Sequence, residues 1–298
     1  MIQSTEINIE SVSVSQPIVC AICLTADRPE MTRQAVQSFR AQTYANKRLL
    51  VYDTSAVCPE VYPTFDAANV LYFHAGARDL TIGALRNEAI EFAQMAACPG
   101  QFDIIAHFDS DDQSHPNRIA EQVAILRSSG ADCVGYREML FWREPDLKDD
   151  IDPVIKSHHP DRGLRARMNG EAWLYSNADT KYALGTSLCY WRRTWERRPF
   201  EATSQGEDER FIRGIQVAAV SSVKIDPRDK GRGEIFSALA EYVGLAHDQQ
   251  PRMVARIHPG NTSTAYRREA MEREAKRGKN PHWKRVAEWD SYCAGVFA

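Results

Sequence analysis

The sequence predicts an α/β fold: a mostly parallel sheet flanked by helices, with a helical extension at the C-terminal end. Two observations carry this expectation. Short apolar runs alternate with helical patterns through the first 130 residues, and polar residues stand at the ends of those runs. Strand–helix alternation builds parallel sheets, because a chain returning to start a parallel neighbour needs a long crossover, usually a helix. Ligands in such sheets gather beyond the carboxyl ends of the strands, where Thr25, Asp53 and Asp109 fall.

Each element can be justified in turn. PIVCAICL (17–24) is an apolar, strand-like run. In PEMTRQAVQSFRAQ, Pro29 stands near a helix start and Ala35, Val36 and Phe39 share one face. KRLLVYD (47–53) and NVLYFH (69–74) read as strands, TIGALRNEAIEFAQMAA (81–97) as a helix, and FDIIAHFD (102–109) as a fourth, buried strand. HPNRIAEQVAILRSSG (115–130) is a helix with Pro116 near its start and Gly130 as its stop. ADCVGYREMLFW (131–142), GEAWLYSN (170–177) and the run from Thr186 to Trp191 are strand-like, and GEDERFIRGIQVA opens a helix with acids in its first turn. Between Arg143 and Asn169 lies a charged stretch without clear structure, expected to be a mobile loop. From Arg267 to Arg285 eight Lys/Arg stand against three Glu, and the stretch reads as helical. The expected organisation is a polar tail (1–16), a main domain (17–264) with halves 17–130 and 131–264, and a basic helical extension (265–298).

Composition excludes several classes. The 298 residues are 43% hydrophobic and 26% charged, ordinary for a globular protein, and a net charge of −3 gives no global field for nucleic acid. No apolar run is long enough to span a membrane. The start, MIQSTEINIESVSVSQP, lacks the basic and apolar regions of a secretion leader, so a cytoplasmic setting is expected. Seven cysteines follow no framework spacing. Cys20 and Cys23 spell C-x-x-C, but residues three apart on a strand point to opposite faces and cannot chelate one ion.

The chemistry concentrates in a few places. In AHFDSDDQSHPNRI, Asp109, Asp111 and Asp112 crowd three carboxylates behind an apolar run. Such a turn is either solvated or holds a hard divalent cation, Mg²⁺ or Mn²⁺. Asp112, just ahead of His115-Pro116, is placed to cap the following helix. Glu207 and Asp208 open a helix, either as favourable first-turn charges or as a fixed general base. His258, between a β-like run and Pro-Gly-Asn, is a structural histidine or a metal ligand.

Taken in order, these pieces resemble the GT-A glycosyltransferases of the family 2 kind, over most of residues 17–264. In that family a first strand ends in a loop that receives the nucleotide, matched by "CLTADRPEMT" with Thr25 and Arg28. Asp53 in "VYDTS" matches the acid that reads the base, and Arg86-Asn87 in "TIGALRNEA" the pair that frames the nucleotide pocket. "FDSDD" fits the D-x-D motif with Asp109, Ser110 and Asp111, and "QGEDERF" supplies the catalytic acid pair. The resemblance implies an inverting transfer of one sugar from a nucleotide-diphosphate sugar, with a lean to UDP, onto an acceptor hydroxyl. The acceptor would be a glycan, a lipid-linked saccharide or, as a minor alternative, nucleic acid. It further implies Asp111 and His258 at a Mn²⁺ or Mg²⁺ ion, Asp109 at the ribose, Asp208 as base with Glu207 next in line, and Gly185 in the floor of the sugar site. Trp173, Trp191 and Trp195 could stack on sugar faces, but aromatic residues in strands are more often core. The Q-x-x-R-W motif of processive synthases is missing, which disfavours chain-building at a membrane. Two rivals remain. A nucleotidyltransferase of the same fold would show a glycine-rich loop, and "CLTADRPEM" has no glycine. A nucleotide-sugar-binding module without catalysis would have no need of both the D-x-D and the Glu-Asp pair.

Overall fold

Val19–Thr25 forms β1, the strand on which the first half is built: it pairs parallel with β2 (Lys47–Asp53) on one side and β4 (Ile104–His107) on the other. β3 (Val70–His74) extends the parallel set beyond β2. In this computed structural model the described residues are 16–59, 69–97, 102–145, 170–179, 181–223, 250–258, 261, 267–278 and 281–298. Helix α1 (Pro29–Arg40) buries Ala35, Val36 and Phe39 as its periodicity requires, and Phe39 meets Phe108 edge-on at 5.6 Å. α2 (Ile82–Phe92) starts at Thr81, whose hydroxyl accepts from Ala84 N, and runs on as a π-helical turn to Ala97. α3 (Arg118–Ser129) ends at Gly130, whose φ of 66° is the left-handed stop that glycine makes cheap.

The second half departs from the parallel expectation. The eleven-residue β6 (Cys133–Arg143) is buried along its whole length and changes partners as it goes. Its first residues pair antiparallel with β8 (Cys189–Trp191) and parallel with β9 (Val217–Ser221). Past a bulge between Tyr136 and Glu138, it pairs antiparallel with β7 (Glu171–Ser176) and parallel with β10 (Met253–Ile257). A bulge sharpens the local twist, which lets one strand serve two sets of neighbours. β8 also lies antiparallel to β4 and joins the halves. The two-residue β5 (Gln113–Ser114) pairs with β10, so α3 begins at Arg118 rather than at His115.

Short helices α4 (Arg192–Arg197) and α5 (Glu207–Ile212) follow β8. The C-terminal extension is not wholly helical. After α6 (Arg268–Lys276), β11 (Trp283–Arg285) pairs antiparallel with β7, and α7 (Asp290–Phe297) closes the chain. Trp283 is the anchor: it is buried against Phe141, with ring centroids 4.9 Å apart, and that burial draws a basic stretch into the sheet.

The core lies on both faces of the sheet. Cys23 belongs to the cluster on one face and Cys20 to that on the other, as their spacing predicts, and both are buried free thiols. Trp173 and Trp195 are buried and Trp191 packs against the core, each with its indole N–H donating to Glu171, Asn87 and Ala131 respectively. No helix among the described residues is long and apolar enough to cross a membrane.

Candidate active site

A cleft of about 600 Å³ opens where β1 and β4 end, lined on one side by Thr25, Arg28 and the Asp109–Asp112 turn and on the other by Gly185, Glu207 and Asp208. Arg86 of α2 ties the sides together. It is buried, with Nη1 3.4 Å from Asp109 Oδ1 and Nε 3.7 Å from Glu207 Oε1. Burial alone would raise the Asp109 carboxyl, but the Arg86 guanidinium, together with His107 and a hydrogen bond from Thr186, holds Asp109 below the usual range. Glu207 is pushed up by burial and by its neighbour Asp208, against the pull of Arg86.

At the other end of the D-x-D, Asp111 Oδ2 accepts from His258 Nε2 at 2.9 Å, Arg28 Nη1 at 3.3 Å and Asn261 Nδ2 at 3.5 Å. Asn261 also accepts the His258 backbone N–H on its Oδ1 at 2.6 Å, so one amide fixes both residues. Between the acids, Ser110 has a buried hydroxyl on the cleft wall with no hydrogen-bond partner among the described residues. A polar group left so is costly unless a ligand completes it.

Asp112 is not the helix cap that its position suggested. α3 begins six residues later, and Asp112 faces inward. Its Oδ2 accepts from the Thr186 hydroxyl and its Oδ1 from the Arg256 backbone N–H at 3.3 Å. It therefore clamps the Asp109–Asp112 turn to the Gly185–Ser187 turn and to β10. Burial and the nearby Asp111 and Asp109 push its carboxyl well above the usual range.

The Gly185–Ser187 turn hangs on one stretch of chain. Gly185 O accepts from His107 Nδ1 at 2.6 Å, Thr186 O from Arg118 Nη2 at 3.3 Å, and Ser187 O from Gln122 Nε2 at 2.8 Å. Three successive carbonyls are thus held by side chains from β4 and α3, the elements that flank the D-x-D turn. Above this turn sits Asp208. A Cβ placed on Gly185 would lie 2.2 Å from Asp208 Oδ2, so the absent side chain makes room for the Asp208 carboxylate.

Two expected contributors stand elsewhere. Asp53 is fully buried; its Oδ1 accepts from the Ser55 N–H and hydroxyl and its Oδ2 from the Tyr72 hydroxyl at 2.7 Å, so both oxygens are engaged beneath the cleft wall. Asn87 uses its amide on Phe200 and Trp195 and holds the chain between α4 and α5 against α2. The stretch expected to form a loop beyond Arg143 falls mostly, over 146–169, outside the described residues.

The profile of the family described as "Glycosyl transferase family 2" matches residues 20–147. Over those residues, less than half of the chain, the protein is similar to that family. The match takes in β1 through β6 and the D-x-D turn; Asp208 and His258 lie beyond it. No curated protein matches the chain. Among solved structures, a mannosyltransferase from Pyrobaculum calidifontis, in complex with GDP-Man and Mn²⁺, is 13% identical with a TM-score of 0.46, covering 79% of this chain and 66% of its own. TarS 1–349 from S. aureus is 12% identical with a TM-score of 0.44, covering 78% and 67%. GalNAc-T7 with UDP, GalNAc and Mn²⁺ is 11% identical with a TM-score of 0.48, covering 68% and 42%. The chain thus spans about two thirds of the length of the first two and less than half of the third.

Across the matched residues and the strands beyond them, the residues fit a divalent ion shared with a ligand. Among the described residues, no group of three or more His, Cys, Asp or Glu side chains could hold a metal alone. Asp111 and His258 supply two donors 2.9 Å apart, close to the spacing of neighbouring ligands around an ion with bonds of about 2.0–2.1 Å. Asp111 Oδ1 takes no hydrogen bond from the described residues. Mg²⁺ commonly takes one or two carboxylates and completes its shell from substrate phosphates and water. The sequence reading missed Asn261 and the inward role of Asp112. "HPGN" and "SDDQ" carry the residue types, but their partners lie 147 to 150 and 74 residues away.

Proposed function

We propose that the protein moves one sugar from a nucleotide-diphosphate sugar, in the first instance a UDP-sugar, to an acceptor hydroxyl, with inversion at the anomeric carbon. The observation that carries this reading is that Asp208 and the D-x-D acids face one cleft, with Arg86 joining Asp109 to Glu207, the residue before Asp208. A base and a diphosphate site in one cleft are what a single displacement needs.

The step balances as follows. Asp208 accepts the proton of the acceptor hydroxyl while that oxygen attacks the anomeric carbon, and the bond from that carbon to the diphosphate breaks, its electron pair leaving with the diphosphate. Arg86 keeps Asp109 ionised, ready to accept from ribose hydroxyls. Asp111 and His258 would hold a Mn²⁺ or Mg²⁺ ion, which would supply positive charge for the leaving diphosphate. Gly185 leaves the space in which the Asp208 carboxylate sits. The acceptor belongs to the sugar-bearing class, a glycan or a lipid-linked saccharide.

Calorimetry with UDP and GDP, with and without Mn²⁺, tests this reading. Binding of at least one nucleotide should require the ion, and Asp111→Asn should weaken it in Mn²⁺ buffer while changing little in EDTA. Equal affinity in both buffers, for both proteins, contradicts the metal-dependent site.

A further inference from the structure

Arg28 stands where a cation is expected. It lies on the loop between β1 and α1, lines the cleft, and puts Nη1 3.3 Å from Asp111 Oδ2, the oxygen that His258 also engages. Its backbone is anchored from the preceding residue: Asp27 has a φ of 55°, rare for a residue with a side chain, and its N–H donates to Ser55 Oγ at 2.7 Å. The side chain is the more exposed of the pair, 31% against 14% for Asp111. An anchored backbone with a partly exposed guanidinium describes a charge that stays at the site but can turn from one anion to another.

We infer that Arg28 neutralises Asp111 when no divalent ion is bound, and passes to the donor's diphosphate when the ion takes its place on that carboxylate. The physical reason is charge accounting. Asp109, Asp111 and Asp112 crowd one turn, Arg86 serves Asp109, and a counter-charge is needed beside Asp111 before the ion arrives. Once the ion is there, a guanidinium left against it would be repelled. The incoming diphosphate then offers oxygens that a planar, two-pronged donor binds well. Free ion and Arg28 compete for Asp111, whereas ion and Arg28 cooperate once a nucleotide diphosphate is present. The phosphate half of this inference rests on the proposed function; the competition half does not.

The two halves predict effects of opposite sign, which loss of structure alone would not produce. Arg28→Met should tighten binding of Mn²⁺ alone, read by electron paramagnetic resonance of the free ion, by about three- to tenfold, as expected when roughly 1 kcal/mol of competing ion pair is removed. The same variant should weaken UDP or GDP binding in saturating Mn²⁺ by about tenfold, the scale of one lost charge-assisted hydrogen bond. Arg28→Gln should repeat both effects, and Arg28→Lys, a charge without the fork, should keep the parent's affinity for Mn²⁺ alone and recover part of the nucleotide affinity. Unchanged or weaker Mn²⁺ binding in Arg28→Met and Arg28→Gln overturns the competition. Unchanged nucleotide affinity overturns the transfer to phosphate. A parent protein that holds Mn²⁺ but binds neither nucleotide overturns the proposed function and the phosphate half together, and the titration of Mn²⁺ alone still decides the competition.

Discussion

At Gly185 a missing side chain is the functional feature. A methyl group there would meet the Asp208 Oδ2 at 2.2 Å and its Cβ and Cγ at 2.7 Å, closer than non-bonded atoms come. Gly185→Ala should therefore displace the base and lower turnover by about 10²-fold or more, the order of a mispositioned general base. Nucleotide affinity should hold, and the two readouts together separate displacement from unfolding. Beside it, His107 is fully buried, with Nδ1 donating to Gly185 O and Nε2 accepting from the Tyr190 hydroxyl at 3.3 Å. Burial, and then the positive charge of Arg86, lower its pKa from 6.5 to about 3. The unfolded chain binds a proton there below about pH 6.5 and the folded chain only near pH 3, so this contribution is whole above 6.5 and is lost as pH falls between them. Urea titrations across that range should show a shallower acid loss for His107→Gln, which keeps a donor without the titration. An unchanged slope would mean that His107 is already protonated in the folded chain.

The 3₁₀ turn Gly185–Ser187 and the D-x-D turn behave as one element, because His107, Arg118, Gln122 and Asp112 grip the first from the stretch that carries the second. Thr186→Val keeps the shape of the side chain and removes only its hydroxyl, leaving a buried acceptor on Asp112. Stability should fall by about 1–3 kcal/mol in urea unfolding, and Thr186→Ser should restore most of it. A neutral Thr186→Val would place the clamp elsewhere. This element also marks what the chain discloses locally. α1 and α3, with Pro29 at one start and Gly130 at one stop, are written in periodicity and punctuation, and so are β1, β2 and β4. The acids of "DSDD" are equally visible as chemistry. The division of labour among them is not, because it is set by residues distant in sequence: Arg86 for Asp109, His258 for Asp111 and Thr186 for Asp112. Asp53 sits at its expected strand end, yet Tyr72 from β3 and the neighbouring Ser55 engage both its oxygens. Alternation predicted a parallel sheet and held through β4; the antiparallel pairs of β6 with β7 and β8 join strands that no local pattern assigns to one another.

Among the described residues, β8 and β6 fasten a parallel first half to a mixed second half, and the cleft forms where the two meet. The D-x-D turn comes from the first and Asp208 from the second, so the site exists only when both are docked. The stretch that reads as a basic extension belongs to the second half through β11, and Trp283→Ala should cost about 3–5 kcal/mol in urea unfolding, as a buried indole does. A cost under 1 kcal/mol would make β11 peripheral. The central claim is that Asp208 and the D-x-D acids form one active site for sugar transfer, and it is tested most directly by chromatographic detection of nucleotide diphosphate released from UDP- and GDP-sugars. In Mn²⁺ the parent should release UDP or GDP, slowly to water and faster once an acceptor is supplied. Asp208→Asn should bind the same donor and release it about 10²–10⁴-fold more slowly. Release by Asp208→Asn at the parent rate would contradict the account.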